Sequence, residues 1–300
     1  MKINMIRSDK VYQEMLELPL EKREGCFRAK ILAPFATKYQ TQHIPLKAKY
    51  SGGFDALFLL GFMNQLPSTL SEKDRPAIDS LSSDQLWQDC QDTIKRSIGL
   101  FEQAGYNLEV EDYHFTILLG NPEKPMLQIN KGYSGDGGIP GYLMLSLLPN
   151  DYTLPRVQAA LAHECNHNVR FQFIKWNQQT TLADWVVSEG LAESFAAELY
   201  GKDLIGPWVT STSPEQLEEI KPIISSQLQL TGMAEMAPYL YGDEIAKIQG
   251  QIPVGMPYAA GYAYGYHLIQ AYLKKTGKNI IEATVTPTKQ ILEATKDFWK

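Results

Sequence analysis

The residues best equipped for chemistry stand together in His163-Glu164-Cys165-Asn166-His167. Two histidines four positions apart, with a glutamate directly after the first, form the H-E-x-x-H pattern. On an α-helix, positions i and i+4 share a face, so both imidazoles can reach one divalent cation. Neutral imidazole suits Zn²⁺, and a zinc ion with an open coordination position is a hydrolytic centre. Glu164 would then stand beside the attacking water as general base and pass its proton to the leaving group. The competing reading is two helix histidines placed by coincidence, and that reading gives the intervening glutamate no task. Cys165 occupies a different helical position from the histidines and reads as a small packing residue.

A zinc site of this kind takes a third protein ligand. The segment directly after His167 runs Asn168-Val169-Arg170-Phe171-Gln172-Phe173, so no H-x-x-G-x-x-H continuation supplies one. Glu189 lies 22 residues beyond His167, and Glu193 one helical turn further on the same face. Two antiparallel helices joined by a short turn would return these carboxylates to the level of the histidines. One can be the ligand, with Glu189 the better placed. The other can accept the free ring N–H of His163 or His167 and so orient it. Spaced glutamates also decorate solvent faces, but Gly190 and Ala192 beside them suggest close packing. Hydrolysis further needs a donor for the developing oxyanion. Residues 257–267 offer Tyr258, Tyr262, Tyr264, Tyr266 and His267, although core packing is the expected role for most of these rings.

The elements that must hold these groups follow from pattern. Residues 156–176 contain no Gly or Pro, which predicts one uninterrupted motif helix, with Thr153 as N-cap and Pro155 in its first turn. A second helix is expected over 182–200, closed by Gly201. Ser213-Pro214-Glu215 opens another, with Leu217, Ile220, Ile224 and Leu228 on one side and a kink at Pro222. A Tyr- and Ala-rich segment runs from Pro257 to Gly277, and a last helix from Thr286-Pro287 to the C-terminus. Upstream, 113–119 and 142–148 read as strands and 126–130 as a further short one. Residues 134–138 read as a mobile glycine-rich link. The first 110 residues read mostly helical: 9–18, 20–42 broken near Pro34, 54–60 after a turn at Tyr50-Ser51-Gly52-Gly53, a connector at 65–82, and a helix from Ser82 or Ser83 to about Ala104. The expected fold is α+β, mostly helical, with a small mixed sheet beside the motif helix. Its expected organisation is a helical N-terminal portion, 1–105, and a catalytic portion, 106–300, with a C-terminal helical lobe, packed as one unit.

Composition narrows the function classes. A chain of 300 residues with 44% hydrophobic and 21% charged residues is long enough for a full core. Its net charge of −6 and lack of a long basic run argue against binding nucleic acid through phosphates. Cys26, Cys90 and Cys165 are odd in number and far apart, which implies neither a disulfide framework nor a thiolate zinc site. No apolar run approaches the roughly 20 residues needed to span a bilayer, and the N-terminus has no secretory pattern. A cytoplasmic protein without membrane insertion is expected. Nothing in the sequence specifies an oligomeric state.

The block at 163–167 followed by Ser188-Glu189-Gly190-Leu191-Ala192-Glu193 resembles the gluzincin clan of zinc peptidases, which includes thermolysin-like enzymes. More closely, the chain resembles a poorly characterised bacterial family of predicted zinc-dependent proteases, over about residues 110–280. The resemblance implies one Zn²⁺ per chain held by His163, His167 and Glu189, with Glu164 as general base and Glu193 behind a histidine. An Asn precedes the ligand glutamate in that clan, where this chain has Ser188. Tyr262-Ala263-Tyr264-Gly265 matches the Y-x-x-G block of the clan's M1-aminopeptidase-like members, which implies Tyr262 as the catalytic tyrosine and Tyr258 as the next choice. The clan binds substrate backbone along an edge strand, for which Tyr142, Leu143, Met144 and Leu145 are the counterpart. No G-A-M-E-N block is present, so aminopeptidase action is not implied. The implied function is zinc-dependent hydrolysis of a peptide or protein substrate. The alternatives are a zinc-binding regulatory protein without turnover and a zinc hydrolase of a non-peptide substrate.

Overall fold

Four short strands form one mixed sheet: β1 Lys2–Met5, β2 Asp112–Leu119, β3 Tyr133–Asp136 and β4 Tyr142–Leu147. Their spatial order is β1-β2-β4-β3, with β1 parallel to β2, β2 parallel to β4, and β3 antiparallel to β4. Phe115, Ile117, Leu118 and Leu119 of β2 and Leu143, Met144, Leu145 and Leu147 of β4 are all buried. Such near-continuous apolar runs are what strands in the middle of a covered sheet require. The remaining elements are helices, so the fold is α+β and mostly helical. The structure, a computed structural model, describes residues 1–50 and 52–299. Ser51 of the expected turn and Lys300 of the expected last helix lie outside the described residues. Among these residues, no helix is long and apolar enough to cross a membrane.

The chain divides into two compact units. The first comprises Met1–Arg96 and Glu109–Leu161, and the second Ser97–Leu108 and Ala162–Lys300. In the first unit, the helix Ser8–Glu17 buries Val11, Tyr12, Met15 and Leu16. The helical run from Leu20 changes character before Pro34: α-helix to Phe27, a π-turn over Arg28–Leu32, a 3₁₀ turn over Ala33–Phe35, then α-helix to Thr41. A missing N–H and a rigid ring at Pro34 account for the altered hydrogen bonding. The short helix Ala56–Leu60 is capped by Asp55, whose carboxylate accepts from the backbone N–H of Phe58 at 2.9 Å.

Several expectations fail here for identifiable reasons. Residues 126–130 form no strand. Pro125 opens a one-turn helix, Pro125–Ile129, which Lys131 and Gly132 terminate with positive φ values of 54° and 93°. The glycine-rich link at 134–138 is ordered over Tyr133–Asp136 as β3, because pairing with β4 supplies partners that composition does not reveal. Residues 65–82 contain a 3₁₀ turn, Glu72–Asp74, and a helix, Arg75–Leu81, in addition to connecting chain. β1 was not anticipated, since four residues carry too little pattern to identify a strand. Thr153 does not cap the motif helix. Its hydroxyl donates to the Leu148 carbonyl, and a 3₁₀ turn, Leu154–Arg156, leads into Val157–Phe173. The helix expected from Thr286 breaks at Thr295 into Thr288–Ala294 and Lys296–Trp299.

The second unit is organised on three helices. The motif helix is Val157–Phe173, of which Ala162 onward belongs to this unit; the glutamate helix is Leu182–Tyr200; the tyrosine helix is Ala260–Thr276. Nearly every residue from Leu182 to Ala196 is buried, Glu189 and Glu193 included, so the helix has no solvent face over this span. A capping box between Thr181 and Asp184 starts it, with mutual hydrogen bonds of 3.3 and 3.0 Å. It meets the tyrosine helix backbone to backbone. A Cβ on Gly190 would stand 2.1 Å from the Gly265 carbonyl oxygen, and one on Gly265 would stand 2.0 Å from that of Val186. Only glycine fits on either side of this crossing.

Candidate metal centre

The motif helix turns both imidazoles toward the glutamate helix. His163 Nε2 lies 3.1 Å from His167 Nε2 and 3.2 Å from Glu189 Oε2, and His167 Nε2 lies 3.3 Å from the same oxygen. Three protein donors at roughly 2.0–2.1 Å from a tetrahedral zinc stand about 3.3–3.4 Å from one another. The observed triangle is close to that size. All three residues are buried, and among the described residues they form the group of His, Cys, Asp and Glu side chains suited to one metal ion. Their chemistry fits as well: two imidazoles and three carboxylates (Glu164, Glu189 and Glu193) leave a surplus of negative charge that a dication would offset.

Outer contacts orient this triangle. His163 Nδ1 donates to Glu193 Oε2 at 2.8 Å, which directs Nε2 inward. Glu193 is itself held by the Gly206 N–H at 2.6 Å and the Trp208 indole N–H at 2.7 Å. Glu189 Oε1 accepts from the Trp185 indole at 3.2 Å, one turn earlier on its own helix, and Oε2 is thereby turned toward the histidines. Glu193 thus takes the acceptor position and Glu189 the position facing both imidazoles. Among the described residues His167 Nδ1 has no hydrogen-bond partner, but its ring lies parallel to Phe171 with centroids 5.7 Å apart.

The electrostatics carry the same message. Burial alone would lower the pKa of His163, yet Glu189 and Glu193, with the charge of Glu164, raise it well above its ordinary value. Burial would raise Glu189, and the two imidazoles instead hold it below the usual carboxylate range.

Glu164 follows His163 on the motif helix and is 7% exposed. Of the candidate oxyanion donors, Tyr262 is in the electrostatic reach of the site. Burial raises its pKa well above the ordinary value, and the charges of Glu189 and Glu164, together with Tyr241 and Tyr258, raise it further. Its phenol is therefore a proton donor at neutral pH. Tyr264 is turned elsewhere, its hydroxyl 3.1 Å from Ser225 Oγ and its ring against Phe298. His267 is lowered by burial and by Lys221, and so belongs to a different neighbourhood. The expected edge strand is not an edge. β4 is flanked by β2 and β3, so the backbone of Met144 and Leu145 is paired on both sides, and Leu143, Met144 and Leu145 are core residues. We assign Tyr142, Leu143, Met144 and Leu145 no role as a free strand edge.

Sequence reasoning did not find the aromatic residues around the triangle. Trp208 packs on His163 at 5.9 Å and on Tyr262 at 6.3 Å; Tyr241 packs on Tyr262 at 6.1 Å and on Trp185 at 5.6 Å. Trp176 continues the series, 5.5 Å from Trp185 and 5.8 Å from Phe171, which returns it to His167. Together with the His163–His167 contact at 4.9 Å, eight rings close a circuit. Trp185, four residues before Glu189, carried a signal at helical spacing. Trp208 and Tyr241 come from other elements and carried none.

A buried two-histidine, one-carboxylate triangle backed by an orienting glutamate is a donor set that could hold a metal ion. The family described as "Predicted Zn-dependent protease (DUF2268)" matches residues 86–293, and the chain belongs to it. Two Bacillus subtilis (strain 168) proteins are similar to it. "Uncharacterized protein YjfC" is 34% identical over 293 residues, covering 97% of each chain. "Uncharacterized protein YjaZ" is 26% identical over 155 residues, covering 50% of this chain and 55% of that one. No solved structure matches.

Proposed function

We propose that this protein is a zinc-dependent peptidase of the gluzincin type, hydrolysing peptide bonds with Glu164 as general base. One observation carries the reading: His163 Nε2, His167 Nε2 and Glu189 Oε2 converge within 3.1–3.3 Å of one another, on the helix that also bears Glu164. His163, His167 and Glu189 would hold one zinc ion per chain. When bound, zinc supplies Lewis acidity and brings the pKa of water down to roughly 7.

The chain's own residues do the remainder. Glu164 accepts a proton from the attacking water and delivers it to the departing amine nitrogen. Tyr262, held neutral, donates to the carbonyl oxygen as negative charge develops there. Glu193 keeps His163 in the tautomer whose Nε2 lone pair points inward, and the Trp208 and Gly206 N–H groups fix Glu193 in turn.

The test is digestion of a quenched-fluorescent peptide library by zinc-loaded wild type and Glu164→Gln. We expect cleavage by the wild type and a loss of at least about 100-fold in the variant, with zinc retained in both. Equal absence of cleavage in two zinc-bound proteins would rule the peptidase reading out.

A further inference from the structure

Arg170 follows His167 by three positions on the motif helix and is fully buried, the largest such side chain among the described residues. Taking a guanidinium out of water is costly unless its N–H groups find acceptors. Burial lowers its pKa to about 10, against the opposing charge of Asp184, so the group stays cationic at neutral pH. Neither the triangle nor the general base uses it directly.

Its hydrogen bonds reach in two directions. Nε donates to Ser188 Oγ at 3.1 Å, and Ser188 Oγ donates to the Asp184 carbonyl one turn earlier on the glutamate helix, at 2.7 Å. Nη1 donates to the carbonyls of Thr284 at 2.7 Å and Thr286 at 3.1 Å, and Nη2 to Thr288 Oγ1 at 3.1 Å. Thr284 ends the helix Ile280–Thr284, and Thr288 begins Thr288–Ala294. The guanidinium therefore fills acceptors that a buried helix end leaves open. These four acceptors are uncharged, so the arrangement exploits the planar fork of arginine and not an ion pair. Asn166, four positions before Arg170 and on the same stripe, donates to Thr284 Oγ1 at 2.7 Å. That stripe adjoins the one bearing His163 and His167, and Ser188 directly precedes Glu189. All of these residues belong to the second unit.

We propose that Arg170 is a positioning residue for the metal triangle. Its guanidinium ties the motif helix to Ser188 on one side and to the turn at 284–288 on the other, which holds His167 and Glu189 at ligand distance before a metal arrives. The proposal deepens the zinc reading of the triangle and rests on it. A lysine would keep the charge, but a single ammonium cannot reach both sides. An alanine at Ser188 would leave Arg170 in place and cut its link to the glutamate helix alone.

The experiment uses the full chain, stripped of metal by a chelator and titrated with Co²⁺, whose visible spectrum reports coordination at nitrogen and oxygen donors. Wild type, Ser188→Ala and Arg170→Lys are compared with Ile224→Val, a core truncation on the helix Pro214–Ser226. We expect Ser188→Ala and Arg170→Lys to bind Co²⁺ at least about tenfold more weakly than wild type and with an altered spectrum. Ile224→Val should match wild type in both. Wild-type affinity and spectrum in a folded Ser188→Ala would overturn the proposal, including where Arg170→Lys does not fold. An equal loss of affinity in Ile224→Val would overturn it too, because the effect would then track stability and not position. A wild type that binds no Co²⁺ sinks the metal reading and this proposal with it, whereas normal binding throughout sinks the proposal alone.

Discussion

At the scale of residues, the centre depends on which atoms face inward. His163 and His167 were legible from their spacing because a helix converts four positions into one face. Glu189 and Glu193 were legible as a pair, but only the hydrogen bonds separate them: Glu193 meets Nδ1 of His163, whereas Glu189 meets both Nε2 atoms. The tyrosine segment was ambiguous for the same reason. Four phenols stand within nine residues, three of them on different sides of one helix and Tyr258 ahead of it, and Tyr262 is the one whose acidity responds to both Glu164 and Glu189. Replacing it by Phe should lower kcat about 10²–10³-fold with little change in KM, since its hydrogen bond is made to charge that develops during the reaction. Steady-state kinetics would reveal the split, and an unchanged kcat would remove Tyr262 from the mechanism.

At the scale of elements, long periodic segments were legible and short ones were not. The glutamate helix, Leu182–Tyr200, matches its expected bounds because Thr181, Asp184 and Gly201 mark both ends. β1 and β3 are four residues each and depend on partners distant in sequence, so local pattern could not specify them. The Gly190–Gly265 crossing brings the backbones of the glutamate and tyrosine helices into contact. Gly190→Ala should destabilise the protein by about 1–3 kcal/mol in urea unfolding and depress activity, because backbone atoms cannot make room for the added methyl. Wild-type stability in that variant would show that the crossing is looser than described. Asp55 governs a pH dependence elsewhere. Burial pushes its pKa up, but the N–H groups of Phe58 and Ala48 and the Arg28 guanidinium outweigh this and hold it below 3.8. Its contribution to stability is therefore present above the unfolded-state pKa and lost as pH falls through the lower folded value. Asp55→Asn should be less stable than wild type at pH 7, and the gap should narrow as pH falls below the ordinary carboxylate range. A gap that stays the same as pH falls would exclude this account.

At the scale of the whole molecule, His163, His167 and Glu189, which could hold a metal ion, and the aromatic circuit around them belong to the second compact unit. The sequence indicated the two helices on which the histidine–glutamate triangle lies. It did not indicate the wall around it, because Trp176, Trp208 and Tyr241 lie in connecting or separate segments that only tertiary packing brings together. A ligand that binds only the folded state stabilises it: zinc at 100 times its dissociation constant adds about 2.7 kcal/mol. Melting temperature should therefore rise with added zinc and fall with a chelator, and hydrogen-exchange protection gained with zinc should centre on the motif and glutamate helices. The most direct measurement is zinc content per chain by elemental mass spectrometry after dialysis, for wild type, Glu164→Gln and His163→Ala. The account predicts close to one zinc per chain in the first two and a small fraction of that in His163→Ala. A folded wild type that emerges free of zinc after loading, or a His163→Ala protein that keeps its full complement, would contradict it.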